Sequence, residues 1–178
     1  MTEAEETVEE TEDLIQEYSG PTSYGVPVTE LHGQTVLHLM PHQLSETVAL
    51  LKEEGFCMAI DVTAVDYLTH PGRKDLPDCI KPERFEVVIS LINHSQGNRI
   101  RLRVQAGTDD PTVPSLFDLF PGTEAMEREV WDLFGVKFDG HPDHSRILLP
   151  DSWEGHPLRK DHDVGQIPVQ FSPEVGRL

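Results

Sequence analysis

The stretch from Glu127 to Asp143, "EREVWDLFGVKFDGHPD", carries enough carboxylates to suggest an acid–base site. General acid–base chemistry needs two carboxylates held at a fixed separation in a pocket. On a helix, Glu124, Arg128 and Asp132 are spaced by four, which predicts an ion-pair ladder worth roughly a few tenths of a kcal/mol per pair. This spacing does not require catalysis. The carboxylates of the stretch are Glu127, Glu129, Asp132, Asp139 and Asp143.

Histidines in the same region suggest a hydrolytic metal site. His141 and His144 form an H-x-x-H pair, and three histidine or carboxylate ligands plus one water are enough for a catalytic zinc ion. The pair lies in a loop interrupted by Pro142, however, and a Gly-His-Pro unit occurs twice, at residues 140–142 and 155–157. The repeat favours a turn in which histidine bonds to nearby backbone. The remaining candidate ligands are His156, His162, Asp139, Asp143 and Asp163.

Residue types that dominate protein interfaces concentrate here as well. The run "HPLRKDHD" at residues 156–163 mixes both signs of charge, which suits a protein surface better than a polyanion. Trp131 fits either an interface or the core of the domain. Docking on a partner is therefore a third hypothesis beside catalysis and metal binding. Its candidate residues are Arg128, Trp131, Arg146, Trp153 and Arg159.

The composition of the whole chain excludes several functions. The formal net charge of −18 argues against nucleic acid, because phosphate binding needs clustered lysine and arginine. Two cysteines, Cys57 and Cys79, are too few for an iron–sulfur cluster or a four-cysteine zinc site. The motifs G-x-G-x-x-G, G-x-x-x-x-G-K-[ST] and G-x-S-x-G do not occur. No run of about 18 apolar residues exists that would cross a membrane.

Strands and helices that would position these side chains follow from hydrophobic periodicity. Alternating residues predict strands over residues 35–40, 56–65, 85–92 and 99–106, and the last two form a hairpin around "NHSQGN". The hairpin's second strand has a row of arginines on one side, which we interpret as its solvated face rather than a binding strip.

Two helices are predicted from apolar stripes. One covers residues 42–55, and the other covers residues 123–134, with Thr123 at its start and Gly135 as its C-terminal cap. Together with the strands, they predict an α+β fold with a mostly antiparallel or mixed sheet and packed helices.

The chain divides into three parts. Residues 1–20 are rich in acid and are predicted to be a disordered tail, since they contain too little apolar surface to offset the entropy of ordering. Residues 21–135 form the predicted core domain. Residues 136–178 are predicted to be an extended docking arm, because they combine prolines with apolar residues that follow no period.

The opening stretch, followed by "RILLP" and "WEGHPLRKD", closely resembles the signature of the C subunit of the proton-pumping NADH:quinone oxidoreductase, respiratory complex I. The resemblance covers residues 31–171 in the order of its elements and is densest over residues 127–161. It implies a non-catalytic subunit of the peripheral arm, associated with the membrane only through the complex on the cytoplasmic side. The alternatives are the equivalent subunit of a membrane-bound hydrogenase or other-donor quinone oxidoreductase, and a small His/Asp metal-dependent hydrolase.

The resemblance also implies where cofactors and partners are found. FMN, iron–sulfur clusters, NADH and quinone belong to the complex, and this chain is expected to hold no catalytic residue, cofactor or metal. Its expected partners are the large quinone-site subunit, called the D subunit, and other peripheral-arm subunits. The residues expected to bind the partner are Arg128, Asp132, His141, Arg146, Trp153, His156, Leu158, Arg159 and Lys160.

Overall fold

The computed structural model describes residues 18–70, 72–73 and 75–163. Most of the predicted acidic tail, and the last part of the predicted arm from residue 164 onward, lie outside the described residues.

A six-stranded mixed sheet forms the body of the molecule. Its strands are arranged in the order β1-β2-β3-β6-β5-β4. The β3–β6 pair is parallel, and the other pairs in this sheet are antiparallel. The strands are β1 (Thr22–Ser23), β2 (Val26–Leu31), β3 (Gln34–Leu39), β4 (Met58–Asp66), β5 (Phe85–Asn93) and β6 (Asn98–Ala106).

Two helices and a small second sheet complete the described fold. Helix α1 spans Leu44–Glu53 and helix α2 spans Glu124–Phe134; short 3-10 turns precede them at Pro41–Gln43 and Pro121–Thr123. Strand β7 (Thr112–Pro114) pairs in parallel with β8 (Lys137–Asp139). The α+β prediction is confirmed, and both predicted helices occur within two residues of their expected ends. None of the described helices has the length and apolarity needed to span a bilayer.

One face of the sheet carries the hydrophobic core. Alternate residues of β5 and β6 point into it, as period-two strands require. Leu102 of β6 is fully buried beside Ile89 of β5, and Val48 of α1 and Val130 of α2 belong to the same cluster. The sequence therefore predicted correctly which face of the hairpin is buried.

The interpretation of the arginine row as a solvated face is wrong at its inner end. Arg103 and Gln105 are buried because the connection between β4 and β5 covers this part of the sheet. Arg103 Nε donates to Glu86 Oε1 at 2.6 Å, and Arg73 from the covering connection donates to Glu86 Oε2 at 2.9 Å. The hydrogen-bonded charges replace the water that a half-buried strand would otherwise face.

The predicted boundary between domain and arm also differs from the observed packing. Val136 and Phe138 are fully buried members of the core cluster, and Phe138 lies in β8, opposite Val113 of β7. The sequence placed these residues in an extended arm because prolines and glycines follow them closely. The packed domain therefore extends into the first residues of the arm, and the segment of interest is residues 141–163, called the docking segment below.

Candidate docking site on helix α2

Helix α2 carries two buried carboxylates, and each binds a different neighbouring segment of the chain. Glu127 accepts hydrogen bonds from Ser115 Oγ at 2.5 Å, Leu116 N at 2.9 Å and Thr123 Oγ1 at 2.7 Å. All of these donors come from the residues leading into the helix. Because its oxygens are occupied by structural donors, Glu127 anchors the approach to α2 rather than offering a base to a substrate.

Asp132 is the second buried carboxylate and binds the docking segment. Its Oδ2 accepts three consecutive backbone N–H groups, from Ile147 at 3.2 Å, Leu148 at 2.9 Å and Leu149 at 2.9 Å. Its Oδ1 accepts from Arg146 Nη1 at 2.5 Å. We call this arrangement the Asp132 clasp. Burial raises the pKa of Asp132, but the amide donors and the guanidinium outweigh it and hold the pKa below its ordinary value.

Arg146 extends the clasp along the segment. Its second amino group donates to the carbonyl oxygens of Trp153 at 2.9 Å and Gly155 at 3.2 Å, and its guanidinium carbon lies 5.7 Å from the centre of the Trp131 ring. Trp131 is half-buried under these contacts. One guanidinium thus connects the helix to two later points of the segment, which its five donors in a planar fork permit.

Only the first ion pair of the predicted ladder on α2, between Arg128 and Glu124, forms. Arg128 Nη1 contacts Glu124 at 2.9 Å, but Asp132 is turned inward and pairs with Arg146 instead. Arg128 uses its other donors on the docking segment, with Ser145 Oγ accepting at 2.8 Å. Helical spacing placed the three residues on neighbouring turns, but the buried amide donors compete successfully for Asp132.

The two Gly-His-Pro units are turns, as predicted. Gly140 and Gly155 have φ values of 83° and 82°, which favour glycine. His141 Nε2 lies 3.0 Å from the Glu124 carbonyl oxygen, and its Nδ1 accepts the Asp143 N–H. His156 Nδ1 lies 2.9 Å from the Asp132 carbonyl oxygen. Burial lowers the pKa of His156, although its bond to the Asp132 carbonyl oxygen acts in the opposite direction.

The structure does not gather the predicted metal ligands into a cluster. His144 Nε2 lies 2.9 Å from the Phe138 carbonyl oxygen, so it is used in the same way as His141 and His156. Among the described residues, no group of three or more His, Cys, Asp or Glu side chains is arranged to hold an ion. His141, His144 and His156 therefore bond to backbone carbonyl oxygens.

The end of α2 receives the later part of the docking segment. Arg159 Nε donates to the Phe134 carbonyl oxygen at 2.6 Å, and Leu158 N donates to the Leu133 carbonyl oxygen at 3.0 Å. Gly135 ends the helix with a φ of 72°. The last helical carbonyls, which have no partner within the helix, are thus satisfied by the segment.

Three apolar side chains of the docking segment are exposed among its polar residues. Ile147, Leu148 and Leu158 are 39%, 60% and 45% exposed. Their backbone amides are the groups bound by α2, so their side chains project away from it. Trp153 is half-buried, with an indole N–H that lacks a partner among the described residues. The arrangement presents apolar side chains on a backbone already held in place.

The chain matches the model of a known protein family. Residues 37–167 match the model of a family described as the respiratory-chain NADH dehydrogenase 30 kDa subunit. The chain belongs to this family.

Relatives of the 30 kDa subunit family align with most of the chain. The C subunit of NADH-quinone oxidoreductase from Mesorhizobium japonicum is 39% identical over 148 residues, covering 83% of this chain and 69% of the relative. The NADH-quinone oxidoreductase subunit 5 of Thermus thermophilus is 37% identical over 153 residues, covering 83% and 70%.

Solved structures support the fold of this 30 kDa subunit family member. A structure titled "Nqo5 of the trypsin-resistant fragment (1-134)" is 32% identical, with a TM-score of 0.60, covering 80% of this chain and 99% of that chain. A chain of an archaeal membrane-bound sulfane sulfur reductase has a TM-score of 0.65 at 19% identity, covering 99% of this chain and 100% of that chain. At that identity the second match shows a shared fold.

Sequence reasoning identified the family correctly but missed residues outside the stretch from 127 to 161. Asp66 and Arg84, at the ends of β4 and β5, contact the docking segment at Lys160 and Asp161. Asp66 and Lys160 are 94 positions apart, and no periodic pattern connects positions that distant. The sequence offers only a carboxylate at the end of one strand and an arginine just before another. This pattern is too common to identify a site.

Proposed function

We propose that this chain is the C subunit of a proton-pumping NADH:quinone oxidoreductase and acts by docking rather than by catalysis. Its partner is the large quinone-site subunit, the D subunit, in the peripheral arm on the cytoplasmic side of the membrane. FMN, the iron–sulfur clusters and the NADH and quinone sites belong to other subunits of that complex. In this function the chain contributes no catalytic residue to electron transfer or to the coupled proton translocation.

The observation that carries the proposal is a set of exposed apolar side chains on the docking segment, whose backbone is bound by the domain. Ile147, Leu148 and Leu158 project from a backbone fixed by Asp132 and by the end of α2. Ordering a segment before it binds reduces the entropy lost on association. Apolar side chains on such a segment suit a hydrophobic partner surface.

The polar residues predicted to bind the partner have an additional use in the chain itself. Arg128, Arg146 and Arg159 direct donors at backbone oxygens of their own chain. Because these guanidinium groups already donate to their own chain, they have fewer N–H donors left for a partner. The apolar residues therefore supply the anchors. We therefore assign Leu148 and Leu158 the largest share of the docking energy.

A double substitution tests this assignment. Leu148→Asp combined with Leu158→Asp places two charges on the docking surface without entering the core, so the isolated chain should keep its melting temperature. Expressed with a tag in its own host, it should fail to co-purify with the other subunits. NADH:quinone reductase activity of the membranes should fall in proportion to the lost complex.

The matched control is Leu50→Asp, since Leu50 is a leucine of α1 with similar exposure, 41%, outside the docking segment. It should assemble normally. Truncation after Pro150 should leave a folded chain that also fails to co-purify. Normal stoichiometry of either the double variant or the truncated chain in the complex would disprove docking through this segment.

A further inference from the structure

The far end of the docking segment meets the body of the domain at a buried carboxylate. The Asp66 side chain is fully buried at the end of β4. Its Oδ2 accepts from Lys160 N of the segment at 2.8 Å, and its Oδ1 accepts from Leu68 N at 2.9 Å. One carboxylate thus joins the strand end, the following turn and the docking segment.

Arg84 completes this arrangement from the start of β5. Its Nε lies 3.1 Å from Asp66 Oδ1 and its Nη2 lies 2.9 Å from Asp66 Oδ2, a two-point contact. The same Nη2 donates to Asp161 Oδ1 of the docking segment at 2.7 Å. Two-point arginine–carboxylate contacts fix geometry as well as adding energy, so Arg84 both orients Asp66 and holds the segment directly.

Aromatic contacts bring the two sides together at Phe85. The guanidinium of Arg84 lies 4.7 Å from the centre of the Phe85 ring, and that of Arg159 lies 5.1 Å from it. Phe85 is fully buried in the core. The domain's arginine and the segment's arginine therefore lie against one buried ring, and neither guanidinium bonds to the residues of the Asp132 clasp.

We propose that Asp66 and Arg84 are positioning residues that hold the distal end of the docking segment, closing it onto the domain before any partner binds. With Lys160 N and Asp161 they form what we call the distal latch. The Asp132 clasp fixes residues 146–149 at the last turn of α2, and the distal latch fixes residues 160–161 at the sheet. Between the two, Leu158 and the outward side of the segment are kept in one orientation.

The value of the latch to assembly rests on the proposed docking function, but closure of the latch does not. A carboxylate buried with an arginine and two amide donors is stable in water only when all of those donors are in place. Opening the segment would remove the Lys160 amide and Asp161 from this group. The isolated chain should therefore keep the segment closed, and a partner would bind a segment already ordered.

Hydrogen exchange of the isolated full-length chain tests closure directly. Asp161→Ala removes only the segment's carboxylate from the latch, at a side chain that is 50% exposed. The buried Asp66–Arg84 pair and the bond from the Lys160 amide are left in place. Amides of residues 156–163 should exchange at least about tenfold faster in this variant, as expected for loss of a hydrogen bond between charged groups. Amides of β5 and β6 should be unchanged.

A second variant and a control separate the latch from general stability. Asp66→Asn should open the same residues further, and trypsin should cleave after Arg159 and Lys160 faster than in the wild-type chain. Asp151→Ala changes an exposed carboxylate of the same segment that takes no part in the latch, and it should behave as wild type. The affinity of Asp161→Ala for the purified remainder of the complex should also fall. The factor of that fall should be smaller than the factor by which amide exchange at residues 156–163 accelerates.

The outcomes keep the two proposals distinct. Wild-type amides at 156–163 that exchange as fast as an unfolded chain would overturn the latch, whatever the partner does. Equal acceleration across β5, β6 and the segment in Asp161→Ala would overturn it too, because the residue would then stabilise the whole fold. A protected segment in a chain that fails to join the complex would instead refute the docking function and leave the latch standing.

Discussion

The sheet domain and the docking segment are held by different forces. In the domain, alternate apolar residues of β5 and β6 are fully buried against the helices. In the docking segment, Ile147 and Leu148 stay exposed while their backbone amides are bound by one carboxylate. The domain buries side chains and satisfies its backbone in the sheet, whereas the segment buries backbone amides and presents side chains.

This difference explains how one short chain combines a stable domain with a segment that keeps apolar side chains exposed. Burial of apolar surface contributes about 25 cal/mol per Å² and excludes water. Apolar side chains buried in the core are therefore not accessible to a partner. Carboxylate–amide bonds hold the segment without consuming its apolar side chains. We expect the two regions to respond separately to substitution, with the core dominating the free energy of unfolding.

The largest expected effect comes from a charge placed in the core. Leu102→Asp should lower the free energy of unfolding by on the order of 4 kcal/mol or more, because it buries an unpaired carboxylate. Urea denaturation of the purified chain measures this. Arg101→Ala, a change at the neighbouring half-buried position, should cost less than about 1 kcal/mol. Equal losses for the two would break the assignment of faces.

Acid should weaken the sheet through His38 before it opens the docking segment. His38 is fully buried on β3, and burial, aided by Arg103, lowers its pKa to about 4. A histidine lowered from about 6.5 stabilises the fold above pH 6.5, and this contribution is lost as the pH falls from about 6.5 to 4. The loss should reach about 3 kcal/mol.

Urea denaturation across this pH range checks the His38 prediction. His38→Gln should remove the slope, whereas His94→Gln, at an exposed histidine of the β5–β6 turn, should keep it. The carboxylates of the segment behave differently. Asp66 and Asp132 have pKa values below their ordinary range, so their contribution persists to about pH 4 and is lost only below it. A segment that opens at pH 6 would contradict this order.

A smaller effect, confined to the segment, is expected at Gly135. An added Cβ would lie 2.5 Å from both Arg159 Nη2 and His156 Cδ2, and the φ of 72° disfavours alanine. Gly135→Ala should cost about 1 to 2 kcal/mol and expose the Arg159–Lys160 bond to trypsin. Gly140 has a similar φ, 83°, and an added Cβ there meets nothing within 4 Å. The extra loss of unfolding free energy in Gly135→Ala, relative to Gly140→Ala, therefore measures the contact with the segment.

The smallest effect is expected from the acidic tail. Deleting residues 1–17 should leave the melting temperature and assembly of the chain nearly unchanged, because that stretch has too little apolar surface to be buried. Co-purification of the shortened chain with the complex checks this. Loss of assembly would show that a docking element lies in the tail.

Much of the fold could be predicted from the sequence because its signals are local. The alternation that placed Leu102 inward and the glycine that ends α2 act within a few residues. The burial of Arg103 could not be predicted in this way, since it depends on Arg73 and Glu86 meeting across a loop. A single strand pattern cannot show that its polar side is covered.

The sequence drew attention to the residues around Asp132 but did not show which bonds they make. Arg128, Asp132 and Arg146 were predicted to bind a partner, and in the structure they bond to the chain's own docking segment. The second ion pair that helical spacing predicts is replaced by the clasp. The difference arises because three backbone amides and a guanidinium outcompete one neighbouring arginine for Asp132. Asp66 and Arg84 were missed since their partners lie far away in sequence.

The parallel pairing of β3 with β6 determines the order in which the chain can fold. Thr35 lies opposite Ile100, so the first three strands cannot complete the sheet until the β5–β6 hairpin has been synthesised. Closing such a long loop has an entropic cost that slows folding, whereas the hairpin itself is local. During synthesis β3 is therefore left with an open edge, and the docking segment, which follows every strand, acquires its shape last.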